Sequence, residues 1–277
     1  MIGDVTDATS DWRSELLADP VLEYGDRAAA DDGLILRSTV GSGVHGIAIA
    51  GTDDHDEMAV FVEPAPWVLG LAPHRDSYVA RSQPEGARSG PGDTDLVAYT
   101  LRKYLRLAVK GNPTALLPLF APARDVLTTT PLGEELRGMA TSFLSREAAQ
   151  RFLGFMHGQR ERLVTGRDTP NRPELVAKYG YDVKYASHAL RLAYQGLEIT
   201  RDRTLTLPMP ESERQRVLAV KAGQVPELET VLAEIDAVAA DVEERLATGR
   251  TPLPERADVA AIGAWSISAH RRHWGWD

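Results

Sequence analysis

Residues 41–62 read GSGVHGIAIAGTDDHDEMAVFV, and their reading decides the fold. Upstream, residues 34–40 (LILRSTV) are apolar and β-prone, which predicts a buried strand. Gly41, Ser42, Gly43 and Gly46 break it into a turn, and MAVFV at 58–62 predicts a second strand. Between turn and strand lies the carboxylate cluster GTDDHDE. Side chains at i and i+2 of an extended chain project to one face, so Asp54 and Asp56 point together. Two neighbouring carboxylates repel unless a cation sits between them. Mg²⁺ suits such a pair, because it takes oxygen ligands and keeps places for substrate phosphates. A Gly-Ser turn offers close backbone approach and a hydroxyl, both suited to phosphate.

Outward from this block the pattern changes. Residues 11–30 predict one or two short helices broken at Pro20, and residues 81–94 (RSQPEGARSGPGDT) a surface loop. Residues 96–110 predict an amphipathic helix stopped by Gly111-Asn112-Pro113. Residues 122–140, with TTTP at 128–131, predict a junction. Helices are expected over 145–164, 174–197, 210–222 and 225–247, with LTLP at 205–208 extended. The fold class expected is α+β. A short mixed sheet with helices occupies residues 1–122, a mainly helical part occupies 140–277, and the active site lies in the cleft between them.

A second constellation is Lys184, His188 and Arg191, whose i, i+4, i+7 spacing puts three potential cations on one helix face. Such a stripe is an anion site, and Tyr181 and Tyr185 beside it offer rings to stack on a base or sugar. Lys103 stands two helical turns from Asp95 on the expected helix and is a further phosphate candidate. His45 and His55 lie within the active-site turn, but imidazole is a poor ligand for Mg²⁺. The tail HRRHWGWD reads as a packing or disordered end, with docking of a partner as the alternative.

Gly41-Ser42-x3-Gly46 followed by Asp54-His55-Asp56 resembles the signature of the DNA polymerase β-like nucleotidyltransferase superfamily. LRKYLRLAVKGNPTALLPLFAP (101–122) and KYGYDVKYASHALRL (178–192) are similar to later blocks of its RNA-repair-associated polymerase β family, RNA-ligase-associated nucleotidyltransferases. The resemblance implies that Asp54 and Asp56 bind Mg²⁺ (or Mn²⁺) and that Gly41 and Ser42 cradle the triphosphate of an NTP substrate. It implies a third carboxylate, for which Asp95 is chosen over Asp93. It implies that Lys184 and Arg191 contact the triphosphate or the acceptor. The gap from Gly46 to Asp54 is one residue longer than in the family, so Asp53 is an alternative to the Asp pair's register. Leu117-Pro118 stand where the family has a glutamate.

Composition bounds these readings. The chain has 277 residues, of which 43% are hydrophobic and 26% charged, so it can bury a core. It has no cysteine, which excludes disulfides and thiolate chemistry. No apolar run is long enough for a membrane span, the N-terminus lacks a signal-peptide pattern, and a cytoplasmic location is expected. The net charge of −9 sits almost wholly in residues 1–60. Metal bound at Asp54, Asp56 and Asp95 would offset part of it, so an RNA or nucleotide partner engaged in a metal-loaded cleft is compatible with the charge. The expected activity is Mg²⁺-dependent transfer of NMP from NTP to an acceptor hydroxyl, an RNA end among the acceptors. A non-catalytic nucleotide- or RNA-binding module on the same fold is the alternative, and a phosphohydrolase a weaker one.

Overall fold

The computed structural model describes residues 16–17, 19–51, 53–71, 73–87, 89–165 and 171–276. Six strands form one sheet: β1 (Leu22–Tyr24), β2 (Leu34–Thr39), β3 (His55–Phe61), β4 (Ser77–Arg81), β5 (Thr94–Thr100) and β6 (Val126–Thr129). Their spatial order is β1-β4-β5-β3-β2-β6, with β3 and β5 parallel and every other pair antiparallel. The architecture is α+β: a mixed sheet with short helices, then a helical C-terminal region.

Alternation along β3 explains the layering. Met58 and Val60 point into one apolar core, which also takes in the C-terminal helices. Ala59 and Phe61 point into a smaller core with Tyr78, Leu96 and Ala98. The face that carries Met58 and Val60 also carries Asp56, so that carboxylate looks toward the helical half.

The helices are α1 (Arg27–Asp32), α2 (Gly41–His45), α3 (Ala65–Leu69), α4 (Leu101–Ala108), α5 (Pro113–Phe120), α6 (Pro131–Gly138), α7 (Arg146–Thr165), α8 (Pro173–Tyr179), α9 (Val183–Asp202), α10 (Glu211–Lys221), α11 (Leu228–Thr248) and α12 (Val259–Trp274). The centre of the helical part is α9, which packs on α7, α10 and α11. Small residues Ala186, Ala189 and Ala193 on its buried side allow that approach. Gly111 ends the turn after α4 at φ +68°, where a Cβ would lie 2.2 Å from Ala148 Cα. Asn112 then caps α5 by accepting from Thr114 N and Ala115 N.

Several expectations are corrected. Asp95 does not precede a helix spanning 96–110. Residues 94–100 are β5, and the helix begins at Leu101, capped by the Thr100 hydroxyl. The helical expectation for 11–30 gives way to strand β1 and the short α1; residues 1–15 and 18 lie outside the described residues. The junction expected at 122–140 contains β6, paired with β2, and α6, so the sheet is completed beyond residue 122. Helix 174–197 is two helices, α8 and α9, separated at Gly180, whose φ is +83°. Of the two readings of the tail, the packed one holds for its described residues: Arg271, Arg272 and His273 belong to α12, and Trp274 Nε1 donates to Glu63 O at 3.0 Å. Among the described residues no helix is long and apolar enough to cross a membrane.

Candidate active site

The parallel register of β3 and β5 sets Asp56 directly beside Asp95. Asp54 lies two residues before Asp56, so it returns to the same side. Oxygens of Asp54, Asp56 and Asp95 lie within 4.8 Å of one another, the one such acidic or imidazole trio among the described residues. Burial and the charges of Asp54 and Asp95 push the Asp56 carboxyl up to about 6. A hard, all-oxygen donor set under mutual repulsion fits a divalent cation of the Mg²⁺ or Mn²⁺ kind.

Two of the three are held from behind. Asp95 accepts from Gln83 Nε2 at 2.7 Å and Ser89 Oγ at 2.8 Å, and Arg81 lies 3.5 Å away. The Asp56 carbonyl accepts from Val40 N at 2.8 Å. Its carboxylate packs on Gly41, which has φ +65°, and a Cβ there would lie 2.1 Å from Asp56 Oδ2. Gly41 is therefore demanded twice, by its left-handed backbone and by the carboxylate against it. Asp93, the alternative to Asp95, is turned away: its carboxylate accepts from Gly90 N and Ser82 Oγ. Asp53, the alternative to Asp54, is bound to Lys221 and to Ile49 N, and its pKa is lowered although burial opposes this.

Helix α9 forms the opposite wall. Gly41, Ser42, Asp54 and Asp56 line a cavity of about 170 Å³ together with Lys184, His188 and Arg191. All three α9 residues thus reach the same cleft, but they are not three cations. Burial, then the charges of Arg191 and Lys184, drives His188 down to about 3, so it is neutral at physiological pH. Burial lowers Arg191 to about 10, which leaves it charged. Arg191 Nη1 donates to His45 Nε2 at 2.5 Å and to Gln195 Oε1 at 3.0 Å. His45 is buried and its pKa lies well below the ordinary value, chiefly from desolvation, so the ring accepts as a neutral imidazole. Arg191 thus has neutral hydrogen-bond partners and no ion pair among the described residues.

A second lobe of about 440 Å³ shares Asp54 and Lys184 with the first and is completed by Ser89, Asn171, Arg172 and Tyr185. The Arg172 guanidinium lies over the Tyr185 ring at 4.8 Å and pairs with Asp182 at 3.0 Å. Tyr181 does not serve as a ring platform, because it is buried and donates to Val225 O at 2.6 Å. Lys103 does not line either lobe; its ammonium lies 3.1 Å from Asp76. The separation from Asp95 follows from the strand that replaces the expected first helical turn.

Sequence reasoning missed Lys221, Gln195, Arg172 and Ser89. Lys221 ends α10 and enters the cleft only because α10 packs on α9. Ser89 sits in the β4–β5 loop, and nothing in its spacing marks it. Gln195 had a signal: it lies one helical turn after Arg191, on the stripe already noted.

Three carboxylates gathered at the β3–β5 register and faced by a basic helix are an arrangement suited to metal-assisted phosphoryl transfer. The model of the RNA repair pathway DNA polymerase beta family (RlaP) matches residues 25–262, and the chain belongs to that family. Comparison with curated proteins gave no match. Among solved structures, the chain is similar to a nucleotidyltransferase-like protein from Exiguobacterium sibiricum. Identity is 14%, coverage is 88% of this chain and 76% of that one, and the TM-score is 0.30, too low to bear on the fold.

Proposed function

We propose that this chain is a Mg²⁺- or Mn²⁺-dependent nucleotidyltransferase that moves NMP from an NTP to an acceptor hydroxyl, with release of pyrophosphate. The acceptor we favour is an RNA end. The observation that carries this reading is the trio Asp54, Asp56 and Asp95, within 4.8 Å of one another, of which Asp54 and Asp56 face Lys184 and Arg191 across one cleft.

Asp54, Asp56 and Asp95 would hold the divalent cation. When bound, it supplies Lewis-acid stabilisation of charge on the phosphoryl oxygens and lowers the pKa of an acceptor hydroxyl. The chain's own residues do the rest by positioning and charge, as phosphoryl transfer requires. Gly41 and Ser42 let the phosphates approach the backbone closely. Lys184 and Arg191 bind the triphosphate, and the neutral imidazole of His45 aims the Arg191 guanidinium. His188 contributes a neutral hydrogen-bonding ring to that wall. Asp95, held by Ser89 at the border of the second lobe, faces the acceptor hydroxyl and takes its proton. The acceptor occupies that lobe, where Lys184 and Arg172 favour an anionic chain end over a cationic small molecule. In this reading residues 1–122 carry the catalytic wall and residues 140–277 complete the cleft.

The test is incubation with α-³²P-NTP, Mg²⁺ and RNA. Label on RNA that disappears in Asp54→Asn and Asp56→Asn supports the reading. Nucleotide binding with no transfer to any acceptor favours a binding module, and acceptor-independent phosphate release favours a hydrolase.

A further inference from the structure

Lys221 also lines the cleft, but its surroundings differ from those of Lys184 and Arg191. Its ammonium lies 2.9 Å from Ile47 O, 2.8 Å from Asp53 Oδ1 and 2.9 Å from Asp53 Oδ2. One carbonyl and one carboxylate of the same loop thus take up most of the ammonium's donors. Asp53 is likewise engaged, since Oδ2 also accepts from Ile49 N at 2.5 Å and the Ser42 hydroxyl faces the same carboxylate. Both side chains are largely enclosed, with 13% and 14% exposure, so water does little to screen the pair.

The loop so tied runs from Gly46 to Asp54, and its described residues form no helix or strand. At its far end it carries Asp54, the neighbour of Asp53 in the chain. Its start is fixed by Ile47 N donating to Ser42 O, and its end by His55 N donating to Asp93 O. Lys221 ties the loop to α10 by hydrogen bonds, beside the apolar packing of Ile47 on the core that the C-terminal helices share.

We propose that Lys221 is a positioning residue for the metal site: by binding Asp53 and the Ile47 carbonyl it fixes the loop so that Asp54, and not Asp53, joins Asp56 and Asp95. This rests on the metal-dependent reading above. Loss of the ammonium leaves Asp53 as an enclosed carboxylate with no cation, beside three others. The loop then relaxes, and Asp54 leaves its register.

The test is Mn²⁺ affinity without nucleotide, followed by electron paramagnetic resonance, with circular dichroism to report folding. Groups that orient metal ligands typically change affinity about 10–100-fold when removed. Lys221→Met is expected to bind Mn²⁺ at least about 10-fold more weakly than the parent. Adding Asp53→Asn removes the lone charge and is expected to recover part of that loss. Wild-type affinity in folded Lys221→Met overturns the proposal, as does a loss that Asp53→Asn leaves unchanged. Lost nucleotide affinity with Mn²⁺ binding intact also overturns it, because that marks a direct phosphate contact. If Lys221→Met does not fold, the double variant is compared with Asp53→Asn alone: weaker Mn²⁺ binding supports the role and equal binding refutes it. A parent protein that binds no Mn²⁺ overturns the metal-dependent reading itself, and the positioning role with it.

Discussion

The two walls of the cleft are built by different physics. The acidic wall is set by strand register: β3 and β5 run parallel, Asp56 pairs with Asp95, and alternation brings Asp54 to the same side. The basic wall is set by helix packing, and its charges are edited by burial. Of the three α9 residues in the cleft, Arg191 stays cationic while His188 is neutral. Like charges are crowded on one wall, whereas the other dilutes its charge with neutral hydrogen-bonding groups. The acidic wall therefore calls for a counter-ion, and the basic wall is left with donors aimed at an anion.

The largest expected effect falls on the acidic wall. Asp56→Asn should lower nucleotidyl transfer by several kcal/mol of barrier, about 10³-fold or more, in a single-turnover assay. The same variant in EDTA should be more stable than the parent at pH 7, by on the order of 1 kcal/mol after solvent screening. A neutral amide removes both the repulsion from Asp54 and Asp95 and the burial of a charge. Urea titration of the two proteins checks this, and an unchanged or lower midpoint would break the contrast between the walls. Gly41→Ala should come next, since its Cβ would collide with Asp56 Oδ2. It should lose most of the activity and about 1–2 kcal/mol of stability from the positive-φ backbone alone.

On the basic wall, Arg191→Met should raise the KM for NTP about 10–100-fold, the worth of charged hydrogen bonds at about 1.5–3 kcal/mol. His188 offers a pH signature. Its folded pKa of about 3 lies below its unfolded value near 6.5, so the unfolded chain binds more protons between those limits. Stability should fall as pH drops from about 6.5 towards about 3, by up to roughly 1.4 kcal/mol per pH unit from this group. His188→Gln should flatten that slope in urea titrations at pH 4, 5 and 7, and an unaltered slope would contradict the burial argument. The smallest effect is Lys103→Ala. Its partner Asp76 is half exposed, so activity should be unchanged and stability should shift by less than about 1 kcal/mol.

These walls also differ in how far sequence alone reveals them. Strand periodicity makes Asp54 and Asp56 legible, because a two-residue repeat beside an apolar run states its own facing. Asp95 was found as a residue, but its setting was misread. LVAYT runs straight into LRKYLRLA without a Gly or Pro, so strand and helix fuse into one apolar pattern; Thr100 as a cap was the signal available. The α9 stripe was legible as spacing, yet charge state depends on burial that spacing does not report, and His188 shows it. Lys221 and Arg172 reach the cleft through helix–helix docking, a long-range outcome with no local signature. The mixed α+β class was visible in the switch of periodicity near residue 122. The edge strands β1 and β6, and β4 next to β1, were not, being three to five residues long and partly exposed.

In the proposed function both walls serve one nucleotide, which calorimetric titration of ATP with Mn²⁺ into the parent, Asp56→Asn and Arg191→Met checks. Each substitution is expected to weaken binding of the same ligand by at least about tenfold, one through the metal and one through the phosphates. Undiminished binding in either folded variant would separate the walls and contradict that reading.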